Sequence, residues 1–338
     1  MEKYKFIFSE GKGLFVSQLS EVGTKLKEYL DKESADGRRI VYSKVFLSDI
    51  LNQYAELTAS TAYVDILSKS PCSTVGQTPL NGSKIAILVK TSDIEEDFAF
   101  HSFRLSEDEA VGHSSYLQTL ALFKKYIDYL EANGLDMKTH LVRTWIYITD
   151  IDVNYSGVVK ARNDIFQQYG LTADTHYIAS TGIGGESQSR HACVAMDFLT
   201  YPGAKAEDIK YLKALDHLNP THEYGVAFER ATRLDVGNVS HYYVSGTASI
   251  DKHGDVLYLG DVEHQAERLI ENVGALLADG DATLDDIRYF IVYLRDISDY
   301  TVVDSFFRKN FANTPYIIVD AKVCRPEWLI EAECIAEK

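Results

Sequence analysis

The chain has 338 residues, 46% of them hydrophobic, and a formal net charge of −16. That is enough apolar material for one large core or two to three smaller ones, and the acidity argues against nucleic acid as a partner. No run of about 18 apolar residues is present, so no membrane span is expected.

The opening MEKYKFIFSEGKG lacks the basic-then-apolar pattern of a signal peptide, so a cytoplasmic location is expected. The cysteines, Cys72, Cys193, Cys324 and Cys334, show no CxxC or Cys/His ligand spacing. A disulfide framework and a structural zinc site are therefore not expected. The histidines do not cluster at metal spacing either, and His191 and His241 read as core or edge residues of strands.

One pattern recurs along the chain. A short strand (Tyr4 to Phe8) precedes Leu19 to Leu30, where Leu19, Val22, Leu26, Tyr29 and Leu30 fall at helical spacing. An aromatic-rich alternating strand ends in Asp49-Ile50, Tyr54 follows in a second helix, and KIAILVK reads as a closing strand. The second round has a strand at Phe98 to Arg104 and a helix with Leu120, Phe123, Ile127 and Leu130 on one face. LVRTWIYITDI then ends in Asp150-Ile151, followed by Tyr155 and the strand HACVAMDF. The third has strands at Ala227 to Leu234 and His241 to Ile250, and a helix with Ala266, Leu269, Ile270, Val273 and Leu277. IRYFIVYLRDI ends in Asp296-Ile297, Tyr300 follows, and Trp328 to Ala336 closes the round. Gly134 and Gly280 read as helix stops, and 204–214 as a loop or helical linker.

The expected architecture is α+β: three β-β-α-β-α-β units over 1–91, 92–203 and 215–338, the first structural and the third carrying the catalytic end. Packed about a pseudo-threefold axis, three such units leave clefts between them, where ligand sites are favoured. Because the chain supplies three units itself, a monomer is expected.

The last strand places Glu331 and Glu333 on one face, with Ile330, Ala332 and Cys334 on the other. Such a pair is either solvated or buried for use. A second carboxylate and burial together raise a carboxyl's pKa enough to make it an acid at neutral pH. Arg143 shares a strand face with Trp145 and Tyr147, and if buried needs an anionic partner, either a substrate or an Asp/Glu. Arg162, Arg230 and Arg325 have either surface or carboxylate-binding roles. The glycines of STGIGG, among them Gly182 and Gly184, either form a plain turn or let backbone amides approach an anion. Tyr147 and Thr247 offer hydroxyls to a ligand. Cys324 is by default a packing residue.

The third unit resembles the YjgF-like (Rid) family through VSGTASI (Val244 to Ile250), the helix after it and TPYIIVDAKVCRPEWLIEAECIAE. Members of that family are homotrimers with ligand clefts between subunits. Its imine deaminases carry an arginine two residues after the proline of the last loop; here Pro315 is followed by Tyr316 and Ile317. Over about 140–338 the chain more closely resembles the chorismatases, single chains of similar length built from YjgF-like folds. That resemblance rests on RTWIYITDI, ASTGIGG, FERA, VSGTASI with Gly260-Asp261, Gln265 and Asn272, and the CR…E ending. The chain departs where the family's asparagine of the RxWxY strand is Ile146, and where its Gly-His after SGTASI reads Asp251-Lys252-His253-Gly254.

The resemblance implies removal of the enolpyruvyl group of chorismate, a small dicarboxylate, as pyruvate, with no cofactor. By resemblance Glu331 is the acid that protonates the enol ether. Cys324 matches the position where cysteine rather than alanine goes with 3-hydroxybenzoate as product, and Gly237 fills a small-residue position upstream of SGTASI. Arg143, Arg162, Arg230 and Arg325 become candidate carboxylate anchors. An imine deaminase of the Rid type and a non-catalytic binder of small carboxylates are the competing readings.

Overall fold

A computed structural model describes residues 2–94 and 98–338. In the first unit β1 (Lys3–Phe8), α1 (Phe15–Ala35), β2 (Arg39–Leu47), α2 (Ile50–Ala59), β3 (Cys72–Gly76), β4 (Thr78–Pro79) and β5 (Ile85–Ser92) follow in order. The second has β6 (Ala99–Phe103), α3 (Glu107–Ala110), α4 (Ser115–Ala132), α5 (Met137–His140), β7 (Leu141–Ile148), α6 (Ile151–Gln168), β8 (Ala179–Gly184) and β9 (Val194–Thr200). The third has β10 (Ile209–Leu212), β11 (Ala231–Val236), β12 (Val239–Ala248), α7 (Val262–Asp279), β13 (Ile287–Leu294), α8 (Tyr300–Asn310), β14 (Tyr316–Asp320) and β15 (Ile330–Glu337).

The three units share one wiring. Strand orders β1-β5-β2-β3, β6-β9-β7-β8 and β12-β15-β13-β14 are superimposable, each with an antiparallel closing strand and a parallel pair at the far edge. The fold is thus a threefold repeat of a YjgF-like α+β unit in one chain. To the sequence pattern the structure adds a strand after each second helix (β3, β8, β14), and the first two units have a single strand before their first helix. These edge strands are five or six residues long and mostly buried, so they carry little alternation to read. Residues 204–214 hold a single 3-10 turn, Ala206–Asp208, followed by β10, which pairs with β11 and extends the third sheet. Gly134 has φ +67 just past α4, as a helix stop requires. Gly280 has φ −100 instead; its lack of a side chain admits the Tyr242 ring, whose hydroxyl donates to the Gly280 carbonyl at 2.7 Å.

Each sheet buries one face under its own helices and turns the other toward its neighbours. Val45, Leu47, Ile87 and Val89 pack on Val22 and Leu26. Ile146, Ile148, Met196 and Phe198 pack on Phe123 and Ile127. The opposite faces meet in one core that includes Tyr42 and Phe46, Trp145 and Tyr147, and Tyr289 and Tyr293. Ile146 therefore faces the helices of its own unit, away from Trp145 and Tyr147.

Where the first and third units meet, His241 lies 4.0 Å from Glu2 and 3.9 Å from Glu337, all three buried. Burial pushes the His241 imidazole down to about 4 and, with Glu2, lifts the Glu337 carboxyl to about 8. The flanking cations are Lys90, against Glu2, and Arg288, whose Nε lies 3.2 Å from Glu337.

Candidate active site

A cavity of about 240 Å³ opens between the second and third units. Its second-unit wall is Ser180 and Gly182 of β8 with Tyr155 and Arg162 of α6, a pair seven residues apart on one helix face. Its third-unit wall is Val226, Phe228 and Arg230 ahead of β11, and Gly246, Ala248 and Ile250 at the end of β12. Cys324, Arg325 and Trp328 of the last loop and Glu331 of β15 complete it. Of the residues singled out from sequence, Arg162, Gly182, Arg230, Cys324, Arg325 and Glu331 converge here.

Glu331 is 4% exposed, and no hydrogen bond to its carboxyl is found among the described residues. Burial and the neighbouring Glu333 lift it from 4.5 to about 8, against the opposing pull of Arg230. The group is therefore largely protonated at neutral pH, and it faces the cavity. A Cβ built at Gly246 would overlap Glu331 Oε1, so the Ser-Gly step of β12 gives the carboxyl its place.

Three guanidinium groups line the cavity with this acid, within a chain of net charge −16. Arg162 is buried, with Cζ 5.8 Å from the Phe228 ring centroid. Arg230 lies 5.5 Å from the same ring, and its Nε and Nη2 donate to the Asn219 carbonyl at 3.2 and 3.0 Å. Arg325 sits 4.8 Å over the Trp328 ring. The cavity combines aromatic walls with concentrated positive charge, which suits a cyclic or unsaturated acid. Cys324 is no nucleophile here: burial and Glu331 push its thiol up to about 12.

The structure moves the other expected ligands away from the cavity. Arg143 is 1% exposed and finds its anionic partner in Glu333, with Nη2 to Oε2 at 2.9 Å. It also donates to the Val244 carbonyl at 2.7 Å and to Thr181 Oγ1 at 2.8 Å. Glu333 takes a second bond from Trp145 Nε1 at 2.7 Å. Tyr147 donates to Asp197 at 3.1 Å and accepts from Lys44 at 3.0 Å, inside the core. The Gly184 amide donates to Lys322 O at 2.9 Å, and a Cβ there would lie 2.8 Å from the Lys322 backbone; this glycine packs and cradles no anion. Thr247 donates to the Ser245 carbonyl at 2.9 Å. A register shift between Val244 and Thr247 resets the alternation, so Gly246 and Ala248 face the cavity and Thr247 does not. Gly237, with φ +59, forms the tight turn between β11 and β12, outside the cavity wall.

Residues not anticipated from sequence are Gly246, Ala248, Phe228, Trp328, Tyr155 and Ser180. Most sit inside segments that were legible: Gly246 and Ala248 in VSGTASI, Phe228 in FERA, Tyr155 after the second Asp-Ile. What they lacked was an assignment of side-chain direction.

Residues 228–338 match the family described as endoribonuclease L-PSP. A RutC family protein of Pyrococcus abyssi is 33% identical over 107 residues, which is 31% of this chain and 83% of that protein. The 3-aminoacrylate deaminase RutC of Acinetobacter baylyi is 27% identical over 96 residues, 28% of this chain and 76% of that protein. Among solved structures, a crystal structure of a chorismatase aligns with TM-score 0.70 at 17% identity, covering 99% of this chain and 98% of that one.

Proposed function

The chain belongs to the RutC family, and from that membership and the architecture it shares with a chorismatase we propose a chorismatase-like enzyme that removes the enolpyruvyl group of chorismate, or a related enol ether, as pyruvate. The carrying observation is Glu331: a carboxyl lifted to about 8, facing a cavity walled by three arginines.

An enol ether hydrolyses through protonation of its methylene carbon, the step that needs a positioned acid. Glu331 delivers that proton and becomes a carboxylate, which Arg230 favours electrostatically. The oxocarbenium centre takes water, and the hemiketal collapses to pyruvate and the ring alcohol. In the 3-hydroxybenzoate branch a ring hydroxyl displaces the group and the ring then aromatises. Arg162, Arg230 and Arg325 hold the substrate carboxylates, and Cys324 beside the acid biases the product. Gly182 and Gly246 keep the space in which the ring lies. With three units in one chain, a single copy forms the cleft, and a monomer suffices.

The experiment is incubation of the purified protein with chorismate, following pyruvate and the aromatic products. Release above background that is lost in Glu331→Gln supports the reading; no release refutes it. The competing deaminase reading draws on the RutC relative. It lacks the expected arginine: Ile317 holds that place, 2% exposed within β14. Ammonia release from an imine would favour it over the enol-ether reading.

A further inference from the structure

The inward face of β15 carries a second buried carboxylate that never reaches the cavity. Glu333 is 2% exposed, bound by Arg143 Nη2 at 2.9 Å and by Trp145 Nε1 at 2.7 Å. A carboxylate so held is fixed in position. It stands two residues from Glu331 on the same strand face, where side chains are close neighbours.

Its partner Arg143 reaches further. Nη2 also donates to Thr181 Oγ1 at 2.8 Å, and that hydroxyl accepts the Gly246 N–H at 3.0 Å. Gly246 is the residue on which the Glu331 carboxyl rests. The chain Glu333, Arg143, Thr181, Gly246, Glu331 thus closes on itself across β15, β7, β8 and β12. Arg143 Nη1 adds a bond to the Val244 carbonyl at 2.7 Å, so one guanidinium joins both walls of the cleft.

We propose that Glu333 is a positioning residue for Glu331: through Arg143 and Thr181 it fixes the backbone against which the acid rests, and it sets a second carboxylate, ion-paired with Arg143, beside that acid. This rests on the reading of Glu331 as the acid. The other charged or titratable groups turned toward Glu331 are Arg230 ahead of β11, Cys324 and Arg325 of the last loop, and Arg162 and Tyr155 of α6. Of these, Arg230 opposes retention of the proton and Cys324 is a neutral thiol; among the described residues, the carboxylate set beside the acid is Glu333.

The test reads the acid directly and needs no substrate. The carboxylic C=O stretch of Glu331 is isolated in the infrared by subtracting Glu331→Gln, and is titrated in the wild type and in Glu333→Gln. The expected result is a midpoint lower by about one pH unit or more in Glu333→Gln, the range over which a neighbouring like charge acts. An unchanged or higher midpoint overturns the proposal. If Glu333→Gln does not fold, the paired replacement Arg143→Met with Glu333→Met, which orphans neither charge, is titrated in its place with the same expectation and the same refutation. If chorismate yields no pyruvate while the midpoint falls, the substrate reading fails and this one stands. If pyruvate is released and the midpoint stays, the reverse holds.

Discussion

Replacing Glu331 with glutamine is expected to stabilise the protein at alkaline pH while removing its activity. In the unfolded chain this carboxyl ionises near its ordinary value of 4.5; in the folded chain burial and Glu333 hold the proton to about 8. Below the lower value the group is protonated in both states and contributes no pH dependence. Between the two, only the folded state keeps the proton, so stability falls as pH rises through this window and is lowest above it. The interval, at about 1.4 kcal/mol per pH unit, sets a ceiling of roughly 5 kcal/mol on the loss. Glutamine has no such titration. The unfolding free energy of Glu331→Gln relative to wild type should therefore grow by several kcal/mol between about pH 5 and about pH 9. Glu337, also lifted to about 8, is common to both proteins and cancels in the difference. The assay is urea unfolding across that range, with pyruvate release from chorismate measured in parallel. A difference that stays constant with pH would refute the buried-acid reasoning whatever the activity shows.

Gly246→Ala places a methyl group over Glu331 Oε1 and 3.2 Å from Thr181 Cγ2. Displacing the acid should lower pyruvate release by about 100-fold, while the overpacking costs about 1–3 kcal/mol in denaturant unfolding. Arg143→Met leaves Glu333 buried without its cation and should destabilise by about 3–5 kcal/mol. Adding Glu333→Gln should recover much of that loss, read as a double-mutant cycle. Cys324→Ala removes a thiol that stays protonated at neutral pH, so pyruvate release should remain within a few-fold of wild type. Chromatography should show the product shifted away from 3-hydroxybenzoate.

The repeat was legible because each unit spends its longest alternating strand before an Asp-Ile step, and 3.6-residue periodicity marks the helix ahead of it. The short parallel strands β3, β8 and β14 were not, since five or six mostly buried residues leave too little pattern. At the site, residue type singled out Arg162, Arg230, Arg325 and Glu331, which line one cavity. It failed where direction mattered. The alternation of β7 places Arg143 and Tyr147 on the inward face but does not say which neighbour they meet there, and that neighbour proved to be Glu333 for one and Asp197 for the other. Thr247 was misassigned because a bulge in β12 is silent in sequence. The substitution at Ile146 lies on the helix side of β7, so its effect on the cavity is indirect at most.

The shared wiring explains why a threefold repeat carries one acid. Counted three residues before each Asp-Ile aspartate, Tyr293, Tyr147 and Phe46 are equivalent, and they pair with Glu331, Ala195 and Ala86. Two positions on, Glu333, Asp197 and Leu88 correspond. Asp197 repeats the Glu333 arrangement, with Lys44 at 3.5 Å in the place of Arg143, but Ala195 gives it no acid to set. On the facing strands, Ala248 pairs with Glu331 and Phe8 with Ala86, while Arg104 follows Phe103, whose partner Met196 adjoins Ala195. Arg104 fills its seam: it donates to Asp197 at 3.0 Å, to Ser73 Oγ at 2.9 Å and to the Thr74 carbonyl at 3.0 Å. The third seam is closed by backbone, β4 pairing with β14 and the Leu80 amide donating to Ile318 at 2.9 Å. Beside Ala248 the seam opens into a cavity, and there the strand supplies Glu331. Two seams closed by guanidinium and backbone bonds are what let the third hold a cavity and a protonated carboxyl, both of which cost stability where they stand.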